Sequence, residues 1–207
     1  MATVSSNVTK PFIVNGRPLK SINHYYNKKK AKLQSQQKKN NKQINRNKLR
    51  ILELKRKNLI NNYLHKASRL LVNHLVSKEI NNVVIGYNKE WKQGINIGRV
   101  NNQNFVGIPY YKLLNMLTYK CELHGISLTV TEESYTSKCS FLDSEPLCKH
   151  DSYCGRRIHR GLFKSSSGKL INADVNGALN ILKKVIGKFE YNSIKVCSTP
   201  LVLEPRN

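Results

Sequence analysis

Ile171-Asn172-Ala173-Asp174-Val175-Asn176-Gly177-Ala178-Leu179-Asn180-Ile181 opens a helix in a chain otherwise poor in acidic residues. Asn172 is a favoured N-cap, because its side-chain oxygen can accept a backbone N–H that the first helical turn leaves without a partner. Val175, Leu179, Leu182 and Ile186 recur at helical spacing and Gly187 supplies a stop, so the pattern predicts a helix over Ala173–Ile186. Asp174 falls in its first turn, where a carboxylate complements the helix dipole. That role suffices for an isolated acidic residue. A metal-holding role needs further carboxylates grouped with it on a basic surface.

Upstream, Leu162-Phe163-Lys164 and Lys169-Leu170-Ile171 flank Ser165-Ser166-Ser167-Gly168 as a hairpin. Before that, residues 139–162 hold three cysteines, two histidines and the basic run Arg156-Arg157-Ile158-His159-Arg160, and read as a polar excursion from the core. Earlier still, Asn82-Val83-Val84-Ile85-Gly86 is a β-branched run, and Pro109 can start a helix whose face carries Leu113, Leu114, Leu117 and Cys121. Gly125 ends that helix, and residues 126–130 alternate like a half-buried strand. The economical reading is a parallel strand, helix, strand unit.

Residues 28–80 are Lys-, Asn- and Gln-rich, with Leu52, Leu59, Ile60, Tyr63, Leu64, Ala67, Leu70, Leu71 and Leu75 marking one face of a long helix. Residues 2–6 and 11–14 read as a small hairpin ended by Asn15-Gly16 and Pro18. The last residues, with Pro200 and Pro205, read as a poorly structured tail.

The 207-residue chain carries 36 Lys and Arg against 12 Asp and Glu, a formal charge of +24 with 39% hydrophobic residues. Such an excess repels itself unless a polyanion neutralises it, so nucleic acid leads the partner classes. No run of 18 apolar residues exists, which argues against a membrane span. Residues 1–7 carry neither a charged leader nor an apolar stretch, and five cysteines is an odd count. Both favour the reducing cytoplasm. There is no P-loop, nucleophile elbow or dinucleotide fingerprint.

Lys28, Lys29, Lys30, Lys38, Lys39 and Lys42 suit backbone phosphates without reading bases, and Arg156, Arg157 and Arg160 can do the same near the active-site side. The lysine-rich side of the helix reads equally as a solvated face. Tyr25, Tyr26 and Trp91 can stack on bases, although a lone Trp is commonly a packing anchor. Cys139, Cys148 and Cys154, with His150 or His159 as a fourth ligand, offer soft donors, but their spacings lack the paired Cys-x-x-Cys of a zinc ribbon. Free thiols are the alternative. Cys121 reads as core and Cys197 lies in the tail.

Read with Glu133-Ser134-Tyr135-Thr136-Ser137-Lys138, the string around Asp174 resembles the C-terminal half of the OrfB/TnpB transposon-encoded proteins, relatives of the type V CRISPR effectors. Lys10-Pro11-Phe12-Ile13-Val14-Asn15-Gly16-Arg17, Asn88-Lys89-Glu90-Trp91-Lys92-Gln93 and Phe105-Val106-Gly107-Ile108-Pro109 resemble further blocks of that family. The resemblance implies an α/β chain, a partial RNase H-like (RuvC-like) domain interrupted by a degenerate zinc-ribbon insertion. It divides the chain into a hairpin (1–27), a basic helical segment (28–80), a strand-helix-strand core (81–138), the insertion (139–162), a last hairpin and helix (163–188) and a tail (189–207).

It also implies a transposase-related DNA-binding protein, serving transposition and DNA recombination, whose complete relatives are RNA-guided, Mg²⁺-dependent DNA endonucleases. DNA is the expected partner, with a guide-type RNA beside it; Mg²⁺ is the expected cofactor and Zn²⁺ a second. Asp174 matches the third acidic position of the family. The second aligns with Gly86, so Glu133 or Glu90 must replace it, and Glu133, at a neighbouring strand end, is the favoured substitute; a solvated strand-end charge is its plainer role. The first lies on a strand before the segment matching residues 2–6, where only Met1 stands here, so the chain is expected to be catalytically incomplete. The alternative is a nuclease-dead nucleic-acid-binding regulator or a remnant without function.

Overall fold

The computed structural model describes residues 2–6, 9–40, 46–88, 98, 107–159, 161–187, 189 and 199–205, apart from the side chains of 37–40. Trp91, Phe105, Glu90, Arg160, Cys197 and the side chains of Lys38, Lys39 and Lys42 lie outside the described residues. The chain divides into two compact units, Met1–Asn15 with Ile80–Lys89 and Gly125–Glu204, and Gly16–Glu79 with Glu90–His124 and Pro205–Asn207.

In the first unit, β1 (Ala2–Val4) pairs antiparallel with β2 (Phe12–Val14), forming the expected hairpin. The tail departs from expectation: β8 (Leu201–Leu203) adds a parallel strand to β2, and the Asn15 N–H donates to the Leu203 carbonyl. Three consecutive branched apolar residues between the prolines suffice to complete a ladder, which the proline signal masked. The parallel strand pair is present as read, while the helix between the two strands belongs to the second unit. β3 (Asn82–Gly86) runs parallel to β4 (Ser127–Thr131) in register from Asn82 against Ser127 to Gly86 against Thr131.

The insertion is less detached than its composition suggests. Its Arg156–His159 segment is a strand, β5, that pairs with β6 (Leu162–Lys164), which pairs in turn with β7 (Leu170–Asn172). All four β5 residues are exposed, so no apolar alternation announces the strand. Asn172 then caps α4 (Ala173–Ile186), its side-chain oxygen accepting from the backbone N–H groups of Asp174 and Val175. Phe163, Ile171, Ala173, Val175 and Leu179 form a core, with Phe141, Leu142 and Phe189 packed against it. Helix α4 also packs on β1, β3 and β4.

The second unit is helical: α1 (Arg17–Asn40), α2 (Arg46–Ser77) and α3 (Tyr110–Leu123). Helix α1 begins at Arg17, well before the expected Lys28. Pro18 is compatible with a first turn, where its missing N–H costs nothing, and Leu19 and Asn23 are fully buried. On α2 the buried residues are Ile60, Leu64, Ala67, Ser68, Leu71, Val72 and Leu75, whereas Leu59 of the expected stripe is exposed. Leu113, Met116, Leu117 and Cys121 face inward on α3, and Lys120 Nζ ties it to α2 by donating to the His65 carbonyl (2.9 Å) and Ser68 Oγ (2.6 Å). Among the described residues no helix is long and apolar enough to cross a membrane.

Candidate metal and nucleic-acid site

Glu133 follows the end of β4 and is held from both sides. Its N–H donates to Asn88 Oδ1 (3.1 Å), and its carbonyl accepts from the Thr136 hydroxyl (2.8 Å) and the Thr136 N–H (3.2 Å). Tyr135 adopts φ 65° to close that turn. The side chain is fixed by what Gly86 lacks. A Cβ built on Gly86 would stand 2.9 Å from Glu133 Cγ and 2.6 Å from Ile181 Cδ1, so the Glu133 stem occupies the room a side chain at 86 would need. Although the residue is exposed overall, burial around that stem pushes its carboxyl above the usual range.

Its neighbour is engaged differently. Glu132 accepts from the Ser134 hydroxyl and lies 3.7 Å from Lys184 Nζ; the hydroxyl first, then Lys184, outweighs desolvation and holds its carboxyl below the usual range. Glu132 is therefore paired on the surface, whereas burial alone shifts Glu133.

Asp174 sits in the first turn of α4, exposed, with Arg157 Nη2 of β5 3.7 Å from its Oδ1. The structure thus joins two candidates that the sequence had placed only near each other. Two further residues of the same string have roles the sequence did not disclose. Asn176 Nδ2 donates to the Cys139 carbonyl (2.9 Å) while its Oδ1 accepts from the Phe141 N–H (3.0 Å), and Asn180 Nδ2 donates to the carbonyls of Thr136 (2.9 Å) and Cys139 (2.8 Å). Both are buried. They fasten the segment that follows Glu133 onto the helix that carries Asp174. Their spacing of four, which puts two polar residues on one helix face, was the available signal.

The cysteine region is held by acids instead. Glu145, buried to 3% exposure, accepts the N–H of Ser140 (2.6 Å) and of Cys154 (2.9 Å), and its own carbonyl accepts from Lys183 Nζ (2.9 Å). Asp143 accepts the N–H and hydroxyl of Ser166. Cys139 is buried; Cys148 and Cys154 are exposed, and Cys148 Sγ lies 3.4 Å from His150 Nε2. Burial and then Glu145 push the thiols of Cys139 and Cys154 up. Among the described residues no three His, Cys, Asp or Glu side chains converge as a metal-holding group. The residues present therefore do not fit a tetrahedral zinc site, which needs four converging donors.

Comparison with known proteins finds matches along two stretches of the chain. Residues 1–92 match the OrfB_IS605 family, described as a probable transposase, and residues 110–181 match the Cas12f1-like TNB domain. The TnpB-like protein ORF457 of Acidianus two-tailed virus is 32% identical over 79 residues, covering 38% of this chain and 16% of that protein. A chain in the cryo-EM structure of the Cas12f1-sgRNA-target DNA complex shares the fold with a TM-score of 0.52 at 19% identity, over 76% of this chain and 41% of that one. The chain thus spans less than half the length of either relative. Fold and matches define a transposase-related protein of mixed α/β class. The chain is similar to the TnpB/OrfB proteins over these stretches.

Proposed function

We propose that this chain is a transposase-related, DNA-binding protein of the cytoplasm that carries two carboxylates, Glu133 and Asp174, of a RuvC-like phosphodiester-cleaving site on a partial RNase H-like domain. The observation that carries it is the pairing of Gly86 with Glu133. The family pattern expects its second acid at position 86, and the space there is filled by the stem of a Glu arriving from the adjacent strand end. A carboxylate with a raised pKa that meets no cation among the described residues is a poor surface charge and a suitable hard ligand.

Mg²⁺ would be held by the carboxylate oxygens of Asp174 and Glu133, and when bound it supplies electrophilic activation of a phosphate oxygen and of water. The chain's own residues do the rest. Arg157, beside Asp174, offers charge to the phosphate backbone, and Asn88, Thr136, Asn176 and Asn180 keep the two acids in place. The reaction class is hydrolysis of DNA, with a guide-type RNA as partner, supported by the Cas12f1 relative whose structure holds sgRNA and target DNA.

Titration calorimetry with Mg²⁺ tests the site. Glu133→Gln and Asp174→Asn should each weaken binding by about tenfold, near 1.4 kcal/mol. Loss at Asp174 alone removes Glu133 from the site. The second reading, a nuclease-dead nucleic-acid-binding regulator or a remnant, draws on the ion pair that Asp174 makes with Arg157. It predicts salt-sensitive DNA binding and no effect of Mg²⁺ on either variant.

A further inference from the structure

Asp174 already has a cation beside it. The guanidinium of Arg157 stands 3.7 Å from its Oδ1, next to the oxygens a metal ion would take, and both side chains are more than half exposed. An exposed pair of that length adds little to a fold. The strand that carries Arg157 nevertheless aims it. The backbone is fixed, since Arg157 pairs with the buried Phe163 of β6 and Gly155 leaves the room that the Phe163 ring fills. Immediately beyond, β5 takes two steps from Arg157 to His159 while β6 takes one from Phe163 to Leu162, a β-bulge of the kind that redirects a side chain. The other surface pair of this unit is tied down more firmly. Lys184 Nζ, 3.7 Å from the Glu132 carboxylate, also donates to the Glu132 carbonyl (3.1 Å), whereas Arg157 has no such second hold among the described residues.

We propose that Arg157 gates the metal site: its guanidinium occupies the Asp174 carboxylate until a phosphodiester group draws it off, and the metal loads onto the oxygens so released. The inference rests on the reading of Asp174 as a metal ligand. The geometry ranks the partners of Arg157. A guanidinium meets a phosphate through two parallel hydrogen bonds, but its contact with Asp174 at 3.7 Å is beyond hydrogen-bond length, so a phosphate offers the tighter pairing. Two cations on one carboxylate repel each other, so Mg²⁺ binds Asp174 less well while the guanidinium is there. Metal and phosphodiester are therefore positively coupled through Arg157 although they touch different atoms, and the coupling acts equally in both directions. A merely structural ion pair would have no such dependence on either ligand.

The test is Mg²⁺ titration calorimetry on the full chain, first without nucleic acid and then with a saturating DNA duplex. Without nucleic acid, Arg157→Gln should bind Mg²⁺ about two- to fivefold more tightly than the parent, within what an exposed ion pair supplies, and Arg157→Lys should restore most of the parent value. On the duplex the difference between parent and Arg157→Gln should vanish, because phosphate has then taken the guanidinium; ions held by the duplex itself are common to both titrations. Side-chain NMR gives a second readout: the Arg157 Nε signal should move as Mg²⁺ is added to the parent and stay in place in Asp174→Asn. Arg157 is exposed, and circular dichroism melting checks that its variants fold. Equal or weaker Mg²⁺ binding in Arg157→Gln overturns the gate and leaves the metal site standing. A difference that persists on the duplex overturns release by phosphate, and with it the gate. If neither the parent nor Arg157→Gln binds Mg²⁺, the metal site and the gate fall together.

Discussion

Gly86 and Glu133 behave as one position written in two places. Because the stem of Glu133 and the tip of Ile181 already fill the space beside Gly86, even one methyl there must move something. Gly86→Ala should cost about 1–3 kcal/mol in denaturant unfolding, as overpacking does, and should weaken Mg²⁺ binding by displacing Glu133. Gly86→Ala/Glu133→Ala should recover stability and not metal binding, which a purely structural role for Glu133 does not predict. The raised carboxyl of Glu133 sets a pH dependence of definite sign. The native state holds this proton more tightly than the unfolded chain, so its contribution is fully present below the ordinary Glu pKa and is lost as pH rises through the elevated folded value. Glu133→Gln should therefore raise the melting temperature of the metal-free protein above that window and leave it unchanged below. Mg²⁺ affinity of the parent chain should climb across the same window, since the metal needs the ionised form.

At the scale of elements, α4 is both the anchor and the carrier of the site. Asn176→Ala would strand the Phe141 N–H, at a cost of about 1–3 kcal/mol less any part water recovers, and leave the Cys139 carbonyl to Asn180 alone. It should also reduce Mg²⁺ affinity although Asn176 touches no metal, because the strap after Glu133 loosens. In the insertion, Glu145 does by hydrogen bonding what a structural ion does by coordination. Glu145→Ala should lower the melting temperature, whereas a zinc chelator should leave it where it is. What the sequence could disclose here follows from how local the cause is. The Asn172 cap, the bounds of α4, the parallel β3 and β4 pair and the β6 and β7 hairpin are each written in a few neighbouring residues, and all were readable. The early start of α1 rests on burial of Leu19 and Asn23, β8 on a partner some 190 residues away, and the duties of Asn88, Asn176 and Asn180 on distant carbonyls and N–H groups. No local pattern encodes those partners, and an exposed strand such as β5 lacks even the alternation that would suggest it.

The two units of the molecule divide its electrostatics unequally. Of the 12 acidic residues only Glu53, Glu79, Glu90 and Glu122 belong to the helical unit, so most of the +24 excess resides there, and the unit with the strands keeps the carboxylates. The proposed metal site is favoured by this separation. Carboxylates spread among the lysines would neutralise the surface that holds the substrate, and lysines crowded around Glu133 would occupy its oxygens before a metal could. Substrate affinity and metal affinity should accordingly be separable by mutation. Each lysine that contacts a phosphate contributes about −0.7 to the slope of log affinity against log salt for a single strand. Replacing Lys29, Lys32 and Lys55 together by Gln should therefore make that slope shallower by about 2, while Mg²⁺ binding at Glu133 and Asp174 stays as it was. Replacing Glu133 and Asp174 should do the reverse, abolishing the Mg²⁺ response and leaving the salt slope intact. If the lysine variant instead weakened Mg²⁺ binding, the charges would be coupled across the molecule and the division of labour between its units would be wrong.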